Sequence, residues 1–228
     1  MGRYVNVSIE FKQKDGNWKP LKVPKKYNKC GNPPALLDWG KAYRELAILA
    51  NIYNSQKLGH YDTGFLFNFV SDKRGLPEDI SKEAWSACHN DDCPGSWVTL
   101  QEILDFDWDQ PGKIRAWVDF SHYEEWIRKR ELCRWPSQWS YLVGGVTLVT
   151  REEMDNIIKE NIGEKRGEEY EQALGKAKEK YEDYYCQIEW EPSHKEAASL
   201  LWNVFMPKML SLGKKYGYNN VRMIINLE

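Results

Sequence analysis

The stretch YVNVSIEFK, residues 4–12, alternates apolar and polar side chains and determines how the fold begins. Side chains that share one face of a β-strand recur at every second position. The apolar set in this stretch is Val5, Val7, Ile9 and Phe11. The polar set between them is Asn6, Ser8 and Glu10. The sequence therefore predicts a half-buried strand with an apolar face on the core and a polar face toward solvent.

The other end of the chain predicts a second strand of a different kind. Residues 221–227, VRMIINL, are mostly apolar, which is typical of a strand in the centre of a sheet. Further strands are predicted over 114–120, 140–149 and 186–191, and helices over 38–53, 81–85, 100–106 and 195–216. The last of these helices should kink at Pro207, which lacks a backbone donor. This order predicts an α+β fold: a central mixed or antiparallel sheet, its N- and C-terminal strands close together, with helices packed on it.

Four S/T-x-x-E motifs mark expected helix starts, because the first and last residues can cap the helix reciprocally. They are Thr99–Glu102, Ser121–Glu124, Thr150–Glu153 and Ser193–Glu196. The first motif predicts a short helix over 100–106, with Trp97 just before its cap and Trp108 just after its end. After the last motif, His194 is expected to be an exposed residue of the first helical turn.

The segment 151–184 is helical in pattern and highly charged. A narrow seam at three- and four-residue spacing runs along it, formed by Tyr170, Leu174, Ala177, Tyr181 and Tyr184. This pattern predicts a helical hairpin or a projecting arm. We therefore expect one domain over 1–228, with 151–184 as a charged helical insertion within it.

Composition excludes several classes of function. The net charge of −2 provides no chain-wide basic field, which argues against nucleic acid as a partner. No apolar run approaches the roughly 20 residues that span a membrane. The N-terminus alternates rather than forming the apolar core of a secretory leader. Five irregularly spaced cysteines are typical of free thiols in a reducing compartment, so a soluble, cytoplasmic protein with no membrane partner is expected.

Motifs for metal binding and catalysis are weak. Cys88, Cys93, His60 and His89 could supply zinc ligands, but the second close pair of a structural zinc site is missing. Neither a G-x-S-x-G motif nor a phosphate-binding P-loop is present. No cofactor is therefore predicted, and idle or buried thiols are the favoured interpretation of the cysteines.

Ligand binding is better supported by residue types. The chain has 11 tryptophans and 13 tyrosines against 7 phenylalanines, and the polar tips of Trp and Tyr suit binding surfaces. Guanidinium groups match phosphate oxygens, and aromatic faces stack on bases. The candidate ligand-binding residues are Tyr43, Arg44, Arg74, Ser96, Trp97 and Trp108.

Two structural alternatives stand beside these candidates. Arg74 could instead lock its loop through a salt bridge to Glu78 or Asp79, and Trp97 and Trp108 could simply pack in the core, an alternative favoured for Trp108. The start of the 100–106 helix could attract an anion, although Thr99 and Glu102 would occupy some of its donors.

Several stretches resemble a family of small, largely uncharacterised proteins encoded by phages and prophages. The matching stretches are SIEFKQKDGNW, KAYRELAILA, RGLPEDIS (74–81) and SWVTLQEILDFDW. The sequence departs from the family at Pro94-Gly95, where members often have a histidine, and in its ending IINLE. The resemblance implies a phage origin and a host-cytoplasmic setting, and it implies no catalytic mechanism.

Three hypotheses for function follow. The leading one is a phage-type binding protein that sequesters a small nucleotide-derived signal of host immunity. The first alternative is a hydrolase that cleaves such a nucleotide, with Glu10, Asp105 and Asp107 as base or metal ligands. The second is an inhibitor that binds a host protein through exposed aromatics on 164–184. A homo-oligomer is compatible with each of them.

Overall fold

The computed structural model describes residues 5–22, 37–40, 42–54, 64–88, 95–129 and 135–227. Within them the fold is α+β, as the sequence predicts. The chain divides into two compact units, unit 1 with Met1–Asn54, Phe67–Pro111 and Ser193–Glu228, and unit 2 with Ser55–Leu66 and Gly112–Pro192. The predicted insertion 151–184 lies wholly inside unit 2, and the single domain over 1–228 stays a prediction.

The described strands form two sheets rather than one central sheet. They are β1 (Val5–Lys12), β2 (Trp18–Pro20), β3 (Leu37–Gly40), β4 (Gly64–Leu66), β5 (Ser96–Thr99), β6 (Lys113–Asp119), β7 (Thr147–Val149), β8 (Tyr184–Trp190) and β9 (Val221–Leu227). In unit 1 the order is β2-β1-β9-β5, with β3 also paired to β1. β9 runs antiparallel to β1 from Val5↔Leu227 to Phe11↔Val221. The expected proximity of the first and last strands and the central position of β9 are both confirmed.

The two faces of the unit 1 sheet differ in polarity, but both are buried. The apolar face includes Val5, Val7, Ile9, Val98, Met223 and Ile225. The strand predicted over 4–12 is present, but its expected solvent-facing side is wrong, because Asn6, Ser8 and Glu10 on the opposite face are at most 2% exposed. Side chains from the 71–81 segment cover part of this polar face, because Leu76 and Ile80 pack with Trp97 against Ile224.

Except for α2, which extends beyond its predicted end at Trp85, the helices of unit 1 are shorter than predicted. They are α1 (Tyr43–Ala50), α2 (Lys82–Cys88), α3 (Leu100–Asp105), α7 (His194–Ala197) and α8 (Met206–Tyr216). The helix predicted over 195–216 is interrupted by a π-helical turn at Leu201–Phe205, just ahead of Pro207. Pro207 lies at the start of α8, where a missing backbone donor is tolerated. Gly217 ends α8 as expected, with a φ of 92°.

Three of the four predicted capping boxes are present, at Thr99–Glu102, Thr150–Glu153 and Ser193–Glu196. The fourth, at Ser121–Glu124, is wrong. In unit 2, α4 (Phe120–Arg128) begins earlier because the side chain of Asp119 caps it, accepting from the amide of His122 at 3.0 Å.

Unit 2 is built on a mixed sheet of order β4-β6-β8-β7, in which only β7 is parallel to its neighbour. The strand predicted over 140–149 is reduced to β7 and a single bridge between Ser140 and Trp117. Gly145, with a φ of 69°, interrupts it. The strand predicted over 186–191 begins earlier and is β8.

The charged segment forms the predicted helical hairpin, α5 (Arg151–Asn161) and α6 (Gly167–Tyr181). Its seam faces inward, since Tyr170, Leu174 and Ala177 are buried. The Tyr170 hydroxyl contacts both carboxylate oxygens of Glu124 in α4 at 2.9 Å. This part of the seam therefore holds the hairpin in place and does not form an exposed aromatic surface.

Two helical glycines should respond oppositely to alanine. A Cβ added at Gly213 in α8 would collide with the ring of Tyr218 and would lie 2.6 Å from Leu100 Cδ2. We expect Gly213→Ala to lower the free energy of unfolding by about 1–3 kcal/mol. A Cβ at Gly175 in α6 meets nothing within 4 Å. Gly175→Ala should therefore raise that free energy by about 0.5–1 kcal/mol, and urea unfolding of both variants checks the pair. Equal effects at the two sites would contradict the packing described here.

Candidate functional site

Alternating cations and indole rings form a ladder on the polar face of the unit 1 sheet. In order, its members are Lys12 (β1), Trp18 (β2), Arg222 (β9), Trp97 (β5) and Arg74. Lys12 Nζ lies 5.6 Å from the Trp18 ring centre, and Arg222 Cζ lies 3.8 Å from the same centre. Arg222 Cζ is 5.8 Å and Arg74 Cζ is 4.9 Å from the Trp97 ring. These distances are within the range of cation–π attraction. We call this group the cation–aromatic ladder.

Strand pairing explains why these side chains meet. Glu10 lies opposite Arg222 across β1 and β9, and Arg222 lies opposite Thr99 of β5. Lys12 lies opposite Trp18 across β1 and β2. Residues opposite each other in antiparallel strands share a face. The register therefore places the charged and aromatic members of the ladder on one side of the sheet.

Arg222 is the buried centre of the ladder, at 2% exposure. Its Nε donates to Glu10 Oε2 at 2.8 Å, and its Nη1 donates to Asp79 Oδ1 at 2.5 Å. The other oxygen of Glu10 accepts from the amide of Ser81 at 3.0 Å. The Trp18 indole donates to Asp79 Oδ2 at 2.6 Å. A buried cation with two carboxylates and several hydrogen bonds meets the conditions for a tolerated internal charge.

Arg74 ends the ladder at the surface. Its Nη1 and Nη2 donate to the two oxygens of Glu102 at 3.1 and 2.5 Å, which is the bidentate geometry of an arginine–carboxylate pair. The Arg74 amide donates to Oγ of the buried Ser96 at 3.2 Å. Sequence reasoning offered Glu78 or Asp79 as the salt-bridge partner, and that is wrong: the partner is Glu102, while Asp79 pairs with Arg222.

The two surface carboxylates of the ladder are held in their charged form. Burial raises the pKa of Glu102, but hydrogen bonds from Arg74 and Thr99 outweigh it and lower the pKa overall. Burial likewise raises the pKa of Asp79, and hydrogen bonds from Arg222 and Trp18 outweigh it. Both groups are therefore anionic at neutral pH.

A surface groove begins two residues after Arg74. It has a volume of 740 Å³ and is lined by Leu76, Pro77, Glu78, Ile80, Lys82 and Trp85. The Trp85 side chain at this groove is 45% exposed. Leu76 and Ile80 also pack with Trp97 on Ile224, which connects the groove wall to the ladder. The groove is mostly apolar and open to solvent, and its charged residues are Glu78 and Lys82.

The structure brings together three of the predicted ligand-binding residues, Arg74, Ser96 and Trp97. Trp108 belongs to the core, since its indole donates to the Ile103 carbonyl at 2.6 Å and only 7% of the residue is exposed. Tyr43 begins α1, where its ring contacts Tyr53 edge-to-face at 5.4 Å.

The remaining predicted residue, Arg44, acts on its neighbour Glu45. Burial raises the pKa of Glu45, and the charge of Arg44 offsets part of that rise. Arg44 is not a member of the ladder.

Sequence reasoning missed Trp18 and Arg222 as site residues. A signal was present, because Arg222 is the only charged residue within the apolar run 221–227, and Glu10 is the acid of the first strand. Antiparallel pairing of the two end strands aligns these charges. Trp18 is the last residue of the DGNW turn (15–18), which folds β2 back onto β1.

The residues proposed for hydrolysis do not form a catalytic cluster among the described contacts. Glu10 is held by Arg222 and Ser81, whereas Asp105 and Asp107 are exposed near the end of α3. Across the described residues, no group of three His, Cys, Asp or Glu side chains could hold a metal ion. The side chain of Cys88 and all of His60, His89 and Cys93 lie outside the described residues.

Lowering the pH should weaken the bond between Glu102 and Arg74. The folded-state pKa of Glu102 lies below its ordinary value of 4.5, so the pair stabilises the fold above that pH and loses this effect as the pH falls. Glu102→Gln should cost about 0.5–1 kcal/mol of unfolding free energy at pH 7. At pH 3 the cost should be smaller, as measured by urea unfolding at both pH values. A cost that grows on acidification would contradict the assigned pair.

No helix in the described part of the chain is long and apolar enough to cross a membrane. No protein-family model matches this sequence, and comparison with curated proteins and with solved structures finds no significant match. The resemblance to the phage and prophage family therefore stays a prediction. The site must be interpreted from its own geometry.

Proposed function

We propose that this protein binds a small nucleotide-type ligand at the exposed end of the cation–aromatic ladder. The observation that carries the proposal is the last layer of the ladder, an Arg74 guanidinium stacked on Trp97 beside an apolar groove. Such a surface suits a planar ring, since arginine and indole groups both stack on bases. In the phage setting implied by the sequence resemblance, the ligand would be a host immune signal, sequestered in the host cytoplasm.

Stacking and cation–π contacts would both contribute to the binding free energy of a planar ligand at this position. Stacking a base on an aromatic side chain is worth about 1–3 kcal/mol. A cation over a ring adds about 0.5–2 kcal/mol, depending on how far it is desolvated. The neighbouring groove supplies apolar side chains, Leu76, Ile80 and Trp85, for the remainder of a ligand. Trp97 is held by the register of β5 on β9, and Arg74 by its bidentate pair with Glu102, so little order would be lost when a ring binds.

Sequestration is favoured over cleavage because the nearby carboxylates already accept hydrogen bonds from the protein. Glu10 accepts from Arg222 and Ser81, and Glu102 accepts from Arg74 and Thr99. A general base needs an available lone pair directed at its substrate. These carboxylates are instead used to hold the ladder.

A thermal-shift screen tests the proposal, because a ligand that binds only the native state raises the melting temperature. The panel consists of cyclic dinucleotides, cyclic trinucleotides and ADP-ribose derivatives. Any hit is released by heat and run on HPLC, where intact ligand supports sequestration and altered ligand supports hydrolysis. Arg74→Leu should abolish the shift. Trp139→Leu, which removes a tryptophan from unit 2, should leave it unchanged.

A hit that survives Arg74→Leu would place the site elsewhere. A panel with no shift would contradict the nucleotide proposal. The inhibitor hypothesis would then be tested by its own route, capture of a host protein by the purified chain.

A further inference from the structure

We infer that the exposed end of the ladder recognises the planar ring of its ligand and adds no affinity for phosphate. This inference rests on the proposed function and narrows its ligand class to molecules selected by their base. Phosphate groups would be tolerated, but they would not provide the selectivity.

First, the hydrogen-bonding edge of the Arg74 guanidinium is already occupied. Both terminal nitrogens already donate to Glu102, one to each oxygen. Phosphate recognition by arginine uses the same bidentate edge. A phosphate would therefore have to displace a carboxylate that also receives the amide and hydroxyl of Thr99, each at 2.8 Å. Displacing it would break the capping box of α3 as well as the ion pair.

The second step is the charge balance of the ladder. Its three cations are Lys12, Arg222 and Arg74. The carboxylates bonded within it are Glu10, Asp79 and Glu102. The formal charges cancel, and the groove beside it has one acid, Glu78, and one base, Lys82. A site with no excess positive charge offers an anion little net Coulomb attraction.

The third step is the surface that remains accessible. The Arg74 side chain is 31% exposed; its Cζ lies 4.9 Å from the Trp97 ring centre, and its terminal nitrogens are bonded to Glu102. Among the described rings, only Trp97 stacks on it. Within the described chain, no second aromatic ring follows Arg74 in the ladder. A ring that continues the alternation of cations and rings would therefore belong to the ligand. A nucleobase has the flat face that this position requires.

Glu102 is then the residue that determines selectivity. Replacing it with glutamine keeps a capping box, because Gln serves at the third helical position as Glu does. The substitution removes the negative charge that neutralises Arg74. The freed guanidinium should then attract phosphate, so the variant should acquire a preference that the natural protein lacks.

Ligand-observed NMR titration of the full chain tests this at low salt. The probes are adenosine and guanosine with their 5′-mono- and triphosphates. For the natural sequence, nucleoside and triphosphate should bind with affinities equal within about twofold. Glu102→Gln should bind the triphosphate about tenfold more tightly than the nucleoside, the effect of one added charge-assisted contact.

Glu189→Gln is the matched control. Glu189 also neutralises exposed cations, Lys113 and Arg115, in unit 2. Its replacement should leave the ratio of triphosphate to nucleoside affinity unchanged.

Different results would overturn the inference of ring selectivity and the proposal of nucleotide binding. A natural protein that binds triphosphates about tenfold more tightly than nucleosides would overturn this inference and leave nucleotide binding intact. A natural protein that binds none of the probes, whether phosphorylated or not, would overturn both. An unchanged affinity ratio in Glu102→Gln would remove Glu102 as the determinant and overturn the inference as well.

Discussion

Replacing Arg222 with methionine should lower the free energy of unfolding by about 3–5 kcal/mol, the cost of leaving a buried charge without its partner. Glu10 is fully buried, and Arg222 is its charged partner in the ladder. Methionine fills similar space but donates no hydrogen bond. The indole rings of Trp18 and Trp97, whose centres lie 3.8 and 5.8 Å from the Arg222 Cζ, would also lose their cation. Urea unfolding of both proteins measures the difference.

Two controls make this result specific. Arg115→Met removes a half-exposed arginine paired with Glu189 and should cost less than about 1 kcal/mol. The double variant Glu10→Gln with Arg222→Met removes both buried charges and should recover part of the loss. A loss below about 1 kcal/mol for Arg222→Met alone would show that this buried pair is not what stabilises the sheet face.

His194→Leu should cost about 2–3 kcal/mol of unfolding free energy, because it removes a buried hydrogen-bonding group between two carbonyls. Its Nδ1 lies 2.7 Å from the Gln110 carbonyl and its Nε2 lies 3.1 Å from the Asn68 carbonyl. The ring also packs edge-to-face against Phe67 and Phe106. A neutral imidazole carries one N–H and can donate to one of these carbonyls, and the leucine variant removes that hydrogen bond.

The control is the other described histidine. His122 is half-buried and contacts Asp119 at 2.5 Å in unit 2. His122→Leu should therefore cost less than about 1 kcal/mol. Urea unfolding measures both variants. Similar losses of unfolding free energy would contradict the stabilising role assigned to the buried contacts of His194.

The expected position of His194 shows why sequence patterns mislead at such places. Its capping motif is correctly identified, and a residue after a cap usually faces water. The side chain is nevertheless fully buried, because it contacts the carbonyls of Asn68 and Gln110 from distant segments. Long-range partners leave no local pattern. For the same reason Glu124 reads as a cap residue but binds Tyr170 in another helix.

Elements with strong local signals are predicted well. β9 matches its expected range, and three capping boxes mark true helix starts. The polar face of β1 is the main failure, because alternation identifies two faces but cannot say that both are covered. Segment 71–81 covers part of that face, and no periodicity in its sequence indicates this packing.

The sequence predicts only part of the site, because some of its residues become neighbours only through the pairing of strands. Arg74, Ser96 and Trp97 carry recognisable chemistry and lie close together in the fold. Arg222 and Trp18 required the register of four strands, β2, β1, β9 and β5, before they could be placed beside them. The phosphate role expected for Arg74 stays a prediction, and in the structure its guanidinium is bonded to Glu102.

The most direct test of the account is the NMR signal of the Arg74 Nε–H group during titration with adenosine and, separately, guanosine. A base stacked on the outer face of the guanidinium should move this signal by its ring current. The Arg115 signal, from an arginine outside the ladder, should stay in place. We predict that at least one nucleoside shifts Arg74 alone of the two. If neither nucleoside moves the Arg74 signal, or if Arg115 moves equally, the ladder end is not a ligand site.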